Sequence, residues 1–139
     1  MNLPRQLIPI DKQLISLPSG GTAALPVCKP VFSKWNHKPP AFDFGKKPIV
    51  DHDGRPVFAE LALLNLLHAA GWDGVWVQAF GGTHFLHDMP SDWKLASQHV
   101  DIPFERERLL RTIWEKAQTT ACFDLFAWNH ADILFCESK

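Results

Sequence analysis

The 139 residues carry fourteen basic and fifteen acidic side chains and 46% apolar types, enough for one real core and too short for two ordinary domains. So even a balance excludes the global field that draws basic proteins onto nucleic acid or anionic membrane, and a polyanion partner has to be held locally or by a metal. Cys28, Cys122 and Cys136 are odd in number and lack C-x-x-C spacing, which argues for a reducing, cytoplasmic setting; with no apolar leader and no long apolar run, neither a secretory signal nor a membrane span is expected.

Eight of the eleven prolines fall within the first forty-eight residues, interleaved with short apolar pieces such as "LIPI" and "LISLP". Proline fixes φ and removes a donor, so residues 1–50 are expected to form an extended arm with little regular structure, lying on the domain or on a neighbouring chain. Residues 51–139 are then the ordered core. Pro56 suits a first helical turn, "VFAELALLNLLHAA" is dense in helix formers, and Gly71 is a natural stop. This helix is apolar on nearly every side, and in it Glu60 is the odd residue, because a buried carboxylate is costly unless something pairs with it. A helix N-terminus, where the macrodipole favours negative charge, is the plainer account of the same residue.

"WDGVWVQAF" reads as a strand ended by Gly81-Gly82, and "THFLHDMPSDWKLASQHVDIP" as a long loop. Within that loop His84, His87 and Asp88 have ligand-like spacing for Zn²⁺. The absence of an H-E-x-x-H or cysteine signature favours ordinary polar loop residues instead. "PFERERLLRTIWEKAQTT" returns to helix, with Leu109, Leu110, Ile113, Trp114 and Ala117 on one stripe. Its Arg106, Arg108, Arg111 and Lys116 alternate with Glu105, Glu107 and Glu115, which predicts a solvated, salt-bridged face rather than a phosphate-binding one. Trp35 and Trp93, both in loops, are the tryptophans best placed for outside contacts.

The closing "FDLFAWNHADILFCESK" predicts a hairpin turning on His130-Ala131, with Asn129 paired to Asp132. That register sets Phe126 opposite Phe135 and Asp124 opposite Glu137, their Cβ atoms ~5 Å apart, with Lys139 on the same face. Its other positions are apolar, so the hairpin is expected to be central and covered on both sides. Two adjacent carboxylates repel unless a cation compensates them. Mg²⁺ or Mn²⁺ held by Asp124 and Glu137, with Lys139 acting on a bound water or a phosphate, is the equipment of metal-assisted phosphodiester hydrolysis.

At these residues the chain resembles the PD-(D/E)xK nuclease superfamily, whose signature is an Asp starting one strand and a Glu-x-Lys ending the next, here Asp124 and Glu137-Ser138-Lys139. The superfamily's helical acidic residue matches Glu60, and the helix with its Glu, the strand after Gly71-Trp72 and the closing hairpin, over roughly residues 55–139, look most like the VRR-NUC group. The usual proline before the motif Asp is Phe123 here. The resemblance implies an α/β fold with a restriction-endonuclease-like core, a mixed central sheet flanked by helices; because the chain stops at Lys139, the last helix and strand are expected to be missing. It further implies a metal-dependent DNA endonuclease selective for branched or flapped DNA, with Glu60, Asp124 and Glu137 as ligands to Mg²⁺ or Mn²⁺ and Lys139 assisting the attacking water. The alternative is a non-catalytic nucleic-acid-binding or assembly module on a degenerate nuclease fold. The apolar arm and an unfinished sheet edge also point to a homodimer.

Overall fold

The computed structural model describes residues 1–44, 46–120 and 122–139. The arm is more regular than its proline content suggests. Asp11–Ser16 (β1) and Thr22–Val27 (β2) form an antiparallel hairpin in register from Asp11↔Val27 to Ser16↔Thr22. Both strands of a two-stranded ribbon are edges, so Pro26, opposite Lys12, can sit in β2 where a central strand would exclude it. The arm lies against its own domain. Leu7 is buried in the main core, where Leu3, Phe32 and Phe44 also pack. The Trp72 Nε1–H donates to the Asn2 carbonyl at 2.8 Å, and the Cys28 thiol donates to the Leu7 carbonyl at 3.0 Å.

Ser33–Lys34 (β3), Ile49–His52 (β4) and Arg55–Phe58 (β5) form a second antiparallel sheet in the order β3-β4-β5. Asp53 and Gly54, at φ 52° and 78°, make the two-residue turn between β4 and β5, the Asp-Gly hairpin signal that favours a type I′ turn. Pro56 therefore lies in β5, opposite Asp51, rather than in a first helical turn; β5 is an edge, where a missing N–H costs no ladder bond. Because β4 crosses the boundary at residue 50 and pairs with β3, arm and core share this sheet.

The first helix, Ala59–Ala69 (α1), starts later than Pro56 would have it and ends as expected. Gly71 takes φ 83°, and the bonds Gly71 N–H to His68 O and Trp72 N–H to Leu67 O close the helix in a Schellman motif.

The central sheet is built from Asp73–Gln78 (β6), His84–Leu86 (β7), Leu125–Trp128 (β8) and Ile133–Cys136 (β9) in the order β7-β6-β8-β9. Its ladders are all antiparallel, where the resemblance implied a mixed sheet. The expected long loop thus yields a short strand, β7, at its start. The other helix, Phe104–Ala117 (α2), carries the ion pairs Arg108–Glu105 and Arg111–Glu107 on its solvated face.

Strand alternation divides the sheet between the helices. Trp76, Leu86, Leu125 and Ala127 join Leu61, Leu64 and Leu67 of α1 in one core; Val75, Val77, Phe85, Phe126 and Trp128 join Leu110 of α2 in another. All four residues of β8 are buried, the two-sided cover expected of the hairpin, but its other strand departs from that expectation: β9 is the edge of the sheet, none of its residues is fully buried and Phe135 is 38% exposed. Among the described residues no helix is long and apolar enough to cross a membrane.

Candidate functional site

The β8–β9 register is the expected one: Leu125↔Cys136, Phe126↔Phe135, Ala127↔Leu134 and Trp128↔Ile133. At the turn, Asn129 N–H donates to the Asp132 carbonyl at 3.0 Å. Asn129 Oδ1 accepts from the Ala131 and Asp132 N–H groups at 2.8 and 2.7 Å, the Asx geometry that closes a short polar loop.

The open end departs from the simple ladder. Asp124 N–H donates to the Cys136 carbonyl at 2.8 Å although Cys136 already faces Leu125, so two residues of one strand meet one of the other. This is the arrangement of a β-bulge, which re-aims a side chain at a strand end. Asp124 consequently faces Ser138 rather than Glu137: its Oδ2 accepts from the Ser138 N–H at 2.7 Å and from the Ser138 hydroxyl at 3.0 Å. Its carbonyl accepts from Val77 N–H at 2.7 Å, which ties the end of the hairpin to β6.

Asp124 and Glu137 nevertheless line one cleft of about 270 Å³, with Lys47, Trp76, Gln78 and Ser138 among its other walls. Lys139 stands at its edge, exposed, with Nζ 4.0 Å from Glu137 Oε2, a surface pair of small energetic weight. Glu60 is 5% exposed and is paired with Lys47, whose Nζ also lies 5.7 Å from the centre of the Trp76 ring. So Asp124 and Glu137 come together, while Glu60 reaches their cleft through the lysine between. Among the described residues no group of three His, Cys, Asp or Glu side chains is arranged to hold a metal.

The donor chemistry of the cleft fits a hard divalent cation through two carboxylates, a number with which Mg²⁺ commonly completes its shell from water and phosphate. Both Ser138 bonds fall on Oδ2 of Asp124, so Oδ1 is the oxygen left for a cation. Glu60 fits as a third ligand only if Lys47 swings away. Lys47 is the residue that reading the chain missed. The rule that a buried Glu needs a partner called for a cation, but the "GKKP" run lies in the arm and nothing in its spacing singles out Lys47. Behind the cleft, burial first, then Cys28 and Asp124, push the Cys136 thiol up to about 11, so it stays protonated and unreactive.

The histidines whose spacing suggested zinc part company. His84 opens β7 and His87 follows its last residue; His84 lies with His99, ring centres 6.1 Å apart, while His87 meets His68 at 5.6 Å. Asp88 Oδ1 accepts from the Met89 N–H. His87, His68, Asp73 and Asp101 line a wider cleft of about 560 Å³. Burial and then His68 lower the His87 pKa, against the opposing pull of the Gly74 carbonyl and Asp73.

Comparison with known proteins finds no matching family model, curated protein or solved structure.

Proposed function

We propose that this chain is a metal-dependent DNA endonuclease of the PD-(D/E)xK kind, hydrolysing phosphodiester bonds in branched or flapped DNA in the cytoplasm. The observation that carries the reading is the presence of both Asp124 and Glu137 in the lining of one open cleft at the end of the β8–β9 hairpin. Mg²⁺ or Mn²⁺ bound by these carboxylates would supply a Lewis acid and an acidified water. Ser138 fixes the Asp124 carboxylate through two hydrogen bonds, so the group is oriented before substrate arrives. Lys139, exposed beside Glu137, stabilises charge that builds on a phosphate oxygen. Lys47 lines the same cleft with its charge taken up by Glu60, so the attraction for the DNA backbone is left to the bound cation and Lys139.

One observation favours a second reading, a non-catalytic nucleic-acid-binding or assembly module on a degenerate nuclease fold. Lys47 already neutralises Glu60, which keeps the third carboxylate from a metal.

The test is cleavage of supercoiled plasmid and flap-bearing DNA with Mn²⁺ by the chain and by its Asp124→Asn variant. Expected is cutting that needs the metal and falls about 100-fold or more in the variant, at least the upper end of what changes in a metal's outer shell cost. A wild-type chain that is folded, binds flap DNA and leaves it intact would select the module.

A further inference from the structure

We propose that the aromatic cluster beside the cleft is a stacking platform for unpaired nucleobases, with Phe80 and Trp93 as its solvent-facing rings and single-stranded DNA as its ligand; this rests on the nuclease reading of the adjoining cleft and specifies the kind of strand presented to it. Phe80 and Trp93 are 56% and 58% exposed, whereas rings of this size normally contribute most by burial. They are neighbours, with ring centres 5.5 Å apart. Behind them Phe44 lies 6.4 Å from Phe80, 5.6 Å from Trp93 and 5.8 Å from Trp76. Trp76 is itself a wall of the cleft that holds Asp124 and Glu137, so the exposed rings are the outer end of one aromatic path to the proposed reaction centre.

The platform is held in place. Phe80 N–H donates to Gln78 Oε1 at 3.0 Å, and Gln78 also lines the cleft. The Trp93 ring stands edge-on to Phe42, centres 4.4 Å apart and planes at 89°. Rings fixed before binding lose little freedom when a base stacks on them. Phe44, which enters the cluster, and Lys46, next to the Lys47 of the cleft, take positive φ, 49° and 73°, a backbone region that residues other than glycine rarely adopt.

Charge suits the same ligand. Lys46 and Lys94, close in sequence to Phe44 and Trp93, are exposed cations of the kind that hold a strand's phosphates. Asp92, the carboxylate beside Trp93, is engaged by the Lys94 N–H and by Gln98 Nε2. In a duplex the base faces are covered by their stacked neighbours, so two exposed rings, tilted at 52° to one another beside the cleft, each select a nucleotide whose face is free.

The test is fluorescence anisotropy of a labelled oligo-deoxythymidine with the full chain in EDTA, beside a blunt duplex of equal length. Phe80→Ala and Trp93→Ala are each expected to weaken single-strand binding by about 5- to 100-fold, the usual effect of losing one base–aromatic stack, and to leave duplex binding unchanged. Trp93→Leu, which keeps apolar bulk and lacks the π face, is expected to lose binding as the alanine variant does, while Trp93→Phe retains it. No wild-type binding to the oligonucleotide, equal binding by the leucine variant, or equal losses on duplex would each overturn the platform. Binding in EDTA does not depend on metal or on cutting. A wild-type chain that binds in this pattern and never cleaves would therefore sink the nuclease and keep the platform, and Asp124-dependent cleavage with aromatic-independent binding would do the reverse.

Discussion

At Lys47 one ammonium group serves two neighbours, the buried carboxylate of Glu60 and the face of Trp76. Removing one partner of a buried pair leaves the other charged and unsolvated, which costs about 3–5 kcal/mol. Lys47→Met is expected near the low end, about 3 kcal/mol, because its side chain is 27% exposed. Urea unfolding checks this, and Lys47→Met combined with Glu60→Gln should recover most of the loss; a double variant as unstable as the single one would show that Lys47 matters for packing and not for charge. The candidate site was legible to the same degree as its energetics. Asp124 and Glu137 follow from hairpin register, which is local; they line one cleft, although Asp124 faces Ser138 and not Glu137. Ser138 as the partner of Asp124 depends on a bulge that no spacing announces. Lys47 depends on how the arm docks, which is a matter of tertiary packing.

Among the elements, β6 and β8 approach so closely that a Cβ at Gly74 would lie 2.9 Å from Ala127 Cβ and 2.9 Å from the Phe126 carbonyl oxygen. Gly74→Ala is expected to destabilise by about 1–3 kcal/mol, the usual cost of overpacking. Adding Ala127→Gly should relieve only part of it, since the backbone oxygen stays; thermal melts of the two variants make the comparison, and full rescue would mean the carbonyl contact is harmless. Periodicity and stop signals gave α1's end at Gly71, β6, α2 and the β8–β9 turn, because each is decided by residues a few positions apart. Pro56 misled because proline fits both an N-terminal helical turn and an edge strand, and the Asp53-Gly54 turn beside it was the stronger signal. The strand β7 escaped notice because His84–Leu86 is too short to show a period and exists by pairing with β6.

For the molecule as a whole, β9 and β7 end the central sheet, and the β1–β2 hairpin presents Leu14 and Leu25 to solvent, 67% and 46% exposed. At β7 the outer backbone groups of Phe85 are taken by His99 and Val100, so the β9 edge and the exposed leucines are what favour self-association; sedimentation velocity over a range of concentrations is expected to show a monomer–dimer equilibrium that Leu14→Lys shifts to monomer. A single species at monomer mass across that range would remove the homodimer. The contact between Asn2 and Trp72 bears on how the chain is made. Its two ends are 70 residues apart in sequence, so the segment around Asn2 has no place to dock until the residues after α1 have also left the ribosome. At ~5–20 residues per second this is an interval of several seconds, during which a leucine-bearing hairpin stands without its domain and its fate depends on whatever holds nascent chains apart.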